Sequence, residues 1–529
     1  ELLNLRFSMS QKKIFEILQG GGIYKYPGFV FIREIVQNAF DASKIQMWKD
    51  IKLGFYDSYY SPKNILDNIS YPSDMKYEIY KQYPVELEVK WKDEHKNILH
   101  FECKDRGTGI SESTLLRMTN FVGESQKKDP NYTDFHEGMP YWLRPTAAFG
   151  IGLQSIFFVN SKFEVETSYP GETTKRIIFR SPANNQYSSI IQENFEKKRG
   201  TTVKIDIPKE RLRELFGGSF SLNILDSVDI FEEGKESLYL AKIDDFVQNT
   251  FGQEKYFFFT YNTENQYQCI TKYQKEENIS NKKIDLNSNY RYSYSYQGDL
   301  LFFEFDEKKI GSTFRIFFKN TWGTEHFIHR IYLRDVLVAN AKISNPKIRY
   351  MGFEWNLNNQ DTDKVVDLSR DNLTYNGKQW ITNTLLKDLL PEILSEIDKI
   401  FIKELKNKNS TLEIQYANYR LTAFAFHISL DLGSLDRIFI PKDIASKGNE
   451  KISIKQLLES KSLYLISNFK TIGNNISPDI REEIETKYDK LSDKIVLWGD
   501  SYLYDSLIFN YKCTNIFKYK SDYQIYEIE

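Results

Sequence analysis

Between residues 29 and 48 apolar positions recur with a period near that of an α-helix, and they crowd round most of its circumference. In FIREIVQNAFDAS, residues 31–43, Phe31, Ile32, Ile35, Val36, Ala39, Phe40 and Ala42 leave only a narrow polar strip. Glu34, Asn38 and Asp41 stack along that strip at i, i+4 and i+7, with Gln37 beside them. Carboxylates and an amide set into a core need partners, or a cavity holding something polar. The plainer alternative is an amphipathic helix with a solvated stripe. The period then changes to two in PVELEVKW (84–91) and ILHFECK (98–104), which predicts strands.

The same reading predicts helices at 11–19 and near 111–119, a polar, helix-poor stretch from about Asn120 to Thr146, and an apolar helix at 150–158. Strands follow near 162–168, 174–180 and 201–207, completing an α/β layer. Aromatic strands dominate 255–340, a helical stretch covers about 378–405, and LYLISN, a helix opened by Ser477 and Pro478, and KIVLWGD suggest a βαβ unit over 463–500. The fold class expected is α+β and multidomain, with units at 1–215, 216–405 and 406–529.

A chain of 529 residues exceeds what one core organises, and 41% hydrophobic with 27% charged residues is a globular balance. The net charge of -2 supplies no basic field, so a nucleic-acid partner is not expected. No apolar run nears the length of a membrane span. The three cysteines are far apart, which fits a reducing cytoplasm and gives no disulfide framework. The first residue is Glu, so the numbering is expected to begin inside a longer or processed chain.

Further motifs carry candidate chemistry. In KDRGTGIS, Asp105 leaves a strand and Gly107 and Gly109 follow, a turn that lets backbone approach a flat ligand while the carboxylate accepts from its edge. In AFGIGLQSIFFV, Gly150 and Gly152 precede an apolar helix, where free N–H groups favour phosphate. In RGTTVKIDI, Gly200 and Thr201 open a strand. Singly, each has a bland reading: a hairpin turn, a packing glycine, an ordinary strand start. His326-x-x-His329 has metal-ligand spacing but no third ligand nearby, and strand context favours a structural role.

In this order the motifs resemble the Bergerat nucleotide fold of the GHKL ATPases, the group of gyrase B, Hsp90, MutL and histidine kinases. FIREIVQNAFDAS looks most like Hsp90, in which Arg-Glu opens the same helix. HRIYLRDVLVANAK (329–342) and DTDKVVDLSRDNLTYN (361–376) are similar to the Hsp90 middle domain. The resemblance implies an N-terminal Bergerat α/β sandwich, an Hsp90-middle-like domain and a distal α/β segment, with the C-terminal dimerisation helices absent or replaced. Thr374 stands where relatives usually carry glutamine, and a tyrosine-rich segment at about 55–83 has no clear counterpart.

The resemblance also implies a mechanism. Asp105 would hold the adenine amino group, helped by Thr201, with Ile110 on the ring. Asn38 would coordinate Mg2+ on the phosphates of ATP, Glu34 would activate the attacking water, and Asp41 would orient neighbours. Gly107 and Gly109 shape the adenine turn; Gly150 and Gly152 would serve the phosphates. Lys127 and Lys128 are the lid lysine candidates. Arg370 would reach the γ-phosphate from the second domain, coupling hydrolysis to lid closure and domain docking. The partners implied are ATP and ADP and a protein client or effector, with room for a homodimer. Beside this chaperone or conformational switch stand two rivals. One is a GHKL ATPase of MutL or MORC type handling nucleic acid, with genome defence as one such role; the other is a module that senses ATP without turnover.

Overall fold

A computed structural model describes residues 27–60, 68–70, 72–120, 138–146, 152–181, 188–192, 199–216, 236–251, 259–263, 266–269, 284–287, 290–297, 300–307, 312–318, 329–338, 351–358, 362–367, 370, 372–397, 445–447, 450–453, 456–457, 460, 463–468, 478–488, 491, 494–498, 513–519 and 523–528. The described residues are mixed α and β, and among them three sheets form with helices against them. The helix expected at 11–19 and most of the stretch from 120 to 146 lie outside the described residues.

Helix α1, Pro27–Lys52, realises the apolar pattern of the opening stretch. Pro27 suits a helix start, where its missing N–H is not needed. Lys49 and Lys52 in the last turn complement the helix dipole. The helix stops at Gly54, whose φ of 76° is the left-handed conformation that glycine tolerates best. Phe55 N–H donates to Asp50 O at 3.1 Å and Gly54 N–H to Ile51 O at 2.9 Å, the paired bonds of a Schellman stop.

The first sheet has eight strands in the order β5-β4-β3-β6-β2-β1-β7-β8. They are β1 Val85–Trp91, β2 Ile98–Asp105, β3 Lys162–Ser168, β4 Lys175–Arg180, β5 Ser189–Gln192, β6 Gly200–Pro208, β7 Phe259–Thr263 and β8 Gln266–Cys269. All neighbours are antiparallel except β1 and β7, which run parallel. Phe31, Ile32, Ile35, Val36 and Phe40 of α1 share one core with Leu87, Val89, Leu99, Phe101, Val165 and Ile205. Phe31 meets Phe101 edge-on at 5.0 Å and Phe40 meets Phe259 at 5.4 Å.

The sheet does not end where the first unit was expected to end. Helices Lys209–Phe216 and Glu236–Phe251 follow residue 208, yet β7 and β8 return to the same sheet, and Phe251 and Phe259 pack against Phe40. Strand pairing over so long a separation has no local sequence signature. The expected apolar helix at 150–158 appears as a tight 3-10 stretch, Leu153–Phe158, and the short edge strand β5 was not anticipated.

The tyrosine-rich segment builds a satellite core under the C-terminal half of α1. Met47, Trp48 and Ile51 pack there with Ile69, Met75, Ile79, Tyr80 and Tyr83, and with Met139, Trp142 and Leu143. Trp142 Nε1 donates to Ile69 O at 3.1 Å, tying the two segments together. Tyr83 donates to the buried Asp50, which also receives Arg199 at 2.9 Å.

The second sheet has seven strands in the order β14-β13-β15-β12-β11-β10-β9. They are β9 Ile284–Asn287, β10 Tyr290–Gln297, β11 Leu300–Glu307, β12 Ser312–Phe318, β13 His329–Leu333, β14 Val336–Leu337 and β15 Gly352–Leu357. Its aromatic pattern is core, as read from the sequence: Phe303, Phe305, Phe314, Phe353 and Trp355 are buried. In the third sheet Leu463–Asn468 and Ile495–Trp498 pair in parallel across helix Pro478–Lys487, the predicted βαβ unit.

The outer face of the first sheet is laced with charge. His100 on β2 faces Asp206 on β6 in register, and its Nδ1 lies 2.6 Å from Asp206 Oδ1. Glu102 first, then Asp206, holds the imidazole pKa above its ordinary value, against the opposing effect of burial. Glu102 itself is held down at about 2, chiefly by His100. A raised folded-state pKa means that the protonated ring stabilises the fold. That contribution is complete below about 6.5 and is lost as pH rises through the folded value. The urea midpoint of His100→Asn should therefore fall furthest below wild type near pH 6, with the gap closing by pH 9. A gap constant across that range would contradict the assignment.

Candidate functional site

The four sequence motifs converge at one end of the first sheet. Asp105 ends β2, and its Oδ1 accepts from Gly107 N–H at 2.8 Å and from Thr201 N–H at 3.3 Å. Its carboxylate thus organises its own turn and the start of β6. A Cβ at Gly107 would lie 2.5 Å from the carbonyl carbon of Ala42, so only glycine lets the turn press against α1. Thr108 N–H donates to Ala42 O at 3.3 Å across the same contact. Gly109, with φ of 71°, abuts Ser168 O, and Ile110 N–H donates to Thr167 Oγ1 at 2.8 Å. Thr167 and Thr201 hydroxyls are 3.3 Å apart. Ile110 is half-buried and packs against the core.

On α1 the narrow polar strip is not solvated. Glu34, Gln37 and Asp41 are 3%, 4% and 6% exposed. The partly accessible positions are Asn38, Ala42, Ile45 and Lys49, a line turned one residue away from the acids. Asn38 is therefore the polar residue of the motif that remains within reach of a ligand. Asp41 is occupied by protein: Thr146 N–H donates to its oxygens at 2.9 and 3.0 Å, and Thr146 Oγ1 lies 3.0 and 3.1 Å from them. The orienting role expected of Asp41 fits this better than contact with a cofactor.

Glu34 carries positive charge on both carboxylate oxygens. Arg33 Nη2 reaches Oε1 at 3.3 Å, and Arg370 Nη1 reaches Oε2 at 3.3 Å. Arg370 Nη1 also donates to Gln37 Oε1 at 2.7 Å. Arg370 belongs to the segment after β15, and its φ of 56° is left-handed, an arrangement costing a non-glycine residue about 1–3 kcal/mol. Its own N–H is held by Asp367 O at 3.0 Å. Gly152 closes the group: a Cβ there would lie 2.4 Å from Glu34 Oε2 and 3.6 Å from Asn38 Nδ2. The two candidate catalytic residues, Glu34 and Arg370, thus touch, with Gly152 and Asn38 alongside.

Other expectations fare differently. Gly150, Lys127, Lys128 and His326 lie outside the described residues. Thr374, where a glutamine was expected, caps helix Tyr375–Asn383, accepting from Gly377 N–H at 3.0 Å and donating to Lys364 O at 2.8 Å. His329 is half-buried with its ring 4.6 Å from Phe353, and desolvation lowers its pKa to about 4. Among the described residues no group of three or more His, Cys, Asp or Glu could hold a metal.

A second contact joins α1 to the second sheet. The tip of the β13–β14 hairpin is Arg334–Asp335, both with positive φ. Lys44 of α1 meets Asp335 at 3.0 Å, with side chains 2% and 7% exposed. Arg334 donates to Asn358 O at 3.2 Å and to Pro145 O. The pairing of Lys44 with a residue of the RIYLRDVLV stretch rests on tertiary structure alone. Compared with known proteins, the chain matches no family model and no curated protein. Among the described residues no helix is long and apolar enough to cross a membrane.

Breaking a buried ion pair strands the remaining charge. Lys44→Met should lower stability by about 3–5 kcal/mol, measured by urea unfolding. Adding Asp335→Asn, which tolerates the left-handed backbone, should recover part of the loss. If the double variant is less stable than Lys44→Met alone, Asp335 is not the stranded charge.

Proposed function

We propose that the chain is a Mg-ATP-dependent chaperone or conformational switch of the GHKL type, resembling the N-terminal and middle domains of Hsp90. The observation that carries this reading is the meeting of Glu34, on the first helix, with Arg370, far along the chain and beyond the second sheet. Support also comes from the turn at Asp105, the glycine beside Glu34 and Asn38, and the opening of β6, all gathered round α1 at one end of the first sheet.

The residues fit the groups the reading requires. Asp105, fixed by its own turn, would accept a hydrogen bond from the adenine amino group, with Thr201 assisting and Ile110 against the ring. Gly152 brings main chain up against Glu34, where a Cβ would lie 2.4 Å from Oε2. Asn38 would hold Mg2+ through its amide oxygen, and the ion would supply charge neutralisation at the phosphate oxygens. Glu34 would orient the attacking water and accept its proton. Arg370 would turn its guanidinium from Glu34 to the charge developing on the transferred phosphoryl group. Because Arg370 arrives from the second sheet's side, turnover would be tied to how the two parts dock, and slow. Adenine nucleotides and a protein client or effector are the partners this implies.

A second reading has a specific observation in its favour. Both oxygens of Glu34 are engaged by guanidinium groups, which suits a module that senses ATP without hydrolysing it. One set of variants separates the two. Glu34→Gln should bind ATP with magnesium as wild type does, by calorimetry, and release no phosphate. Arg370→Ala should keep binding and lose about 10³-fold or more in kcat, the scale of an arginine finger. Asn38→Ala should abolish the magnesium dependence of binding. Binding by a wild type that releases no phosphate selects the sensor; absence of ATP uptake removes both.

A further inference from the structure

Beside Glu34 runs a line of buried polar groups that the proposed chemistry does not use. Arg370 Nη1 donates to Gln37 Oε1 at 2.7 Å, and Gln37 Nε2 donates to Thr146 Oγ1. Thr146 Oγ1 in turn reaches Asp41 at 3.0 and 3.1 Å. Gln37, Thr146 and Asp41 are 4%, 1% and 6% exposed, so bulk water does not satisfy these groups.

The directions of these bonds follow from the groups at the two ends. A guanidinium has only donors, so the Gln37 oxygen must face Arg370. The Gln37 amide then presents N–H to Thr146, whose oxygen accepts. The Thr146 hydroxyl proton is left for Asp41, whose ionised carboxylate has only acceptors. Arg370, Gln37, Thr146 and Asp41 thus form one directed chain from cation to anion, in which each bond polarises the next. The chain also reaches the second sheet by another route, because Pro145, adjacent to Thr146, receives Arg334.

We propose that Gln37 and Thr146 are positioning residues that hold the Arg370 guanidinium at Glu34, with Asp41 as the anionic anchor. The inference rests on the reading of Glu34 and Arg370 given above and goes beyond it. It makes placement of the arginine depend on the Pro145–Thr146 segment of the first unit, and not on the Arg370 loop alone. Without Gln37, Arg370 would keep its backbone bond to Asp367 and its 3.3 Å contact with Glu34 but lose the shorter, 2.7 Å bond that helps to aim the guanidinium.

Hydrogen exchange and turnover together test this in the full-length chain. Thr146→Val removes the hydroxyl and keeps the shape, Thr146→Ser keeps the hydroxyl, and Gln37→Leu removes both amide bonds. In the nucleotide-free protein, amide exchange over residues 366–374 should rise roughly tenfold in Thr146→Val and Gln37→Leu, and stay at the wild-type rate in Thr146→Ser. In the same variants kcat should fall roughly 10- to 100-fold with ATP affinity unchanged, again sparing Thr146→Ser. Gln37→Leu should add nothing in an Arg370→Ala background.

Unchanged exchange over 366–374 in Thr146→Val overturns the tether, whatever happens to activity or to the folding of Gln37→Leu. An additive loss in the Arg370→Ala background overturns action through the arginine. Raised exchange in a protein whose wild type neither binds nor hydrolyses ATP leaves the tether standing and overturns the nucleotide reading instead.

Discussion

A carboxylate withdrawn from water has to be met by positive charge, and Glu34 is met from two directions. Arg33 lies next to it in the chain; Arg370 lies 336 residues away. The first contact could form in an isolated helix, but the second cannot. It requires α1 to be seated on the first sheet, the second sheet to be assembled, and the Arg370 loop to hold its left-handed turn. Removing one partner of such a pair costs more than the pair contributes, because the survivor stays buried. The contact therefore constrains every element that brings its two ends together.

The same economy of space governs the turn at the sheet end. Gly107 lies against Ala42, Gly109 against Ser168 and Gly200 against Asp105, each at a distance where a Cβ would collide with backbone. Side chains can move out of the way; backbone cannot without disturbing a strand or helix. These positions thus fix how closely α1, β3 and β6 approach one another, and they do so with main chain alone. The acidic group of the turn then has its geometry set twice, by the N–H of Gly107 and by that of Thr201 in β6. A rigid frame of this kind suits recognition of a flat, hydrogen-bonding edge.

Much of this was legible along the chain where the cause is local. The period of α1, the alternation of β1 and β2, the aromatic strands of the second sheet and the βαβ of the third all follow from short-range pattern. The narrow polar strip correctly announced buried polar groups, but not their partners. The orienting role of Asp41 was legible but its partner was not, because nothing near it in sequence reveals Thr146, which lies beyond a long polar stretch. Lys44 has no local pattern that marks it as buried, yet it lies buried against Asp335. Thr374 read as a missing contact and is a helix cap, a role its position before a helix could have suggested. What escaped notice is what depends on chain segments distant in sequence and adjacent in space.

The parallel pairing of β7 with β1 has a consequence for how the molecule can be dissected. A piece ending near residue 215 would strip β1 of its neighbour and leave a row of unpaired main-chain groups from Val85 to Val89. It would also uncover the side of Phe40 now shielded by Phe251 and Phe259. Such a fragment would be sticky for reasons unrelated to its chemistry. The shortest piece that keeps this sheet whole runs at least to Cys269.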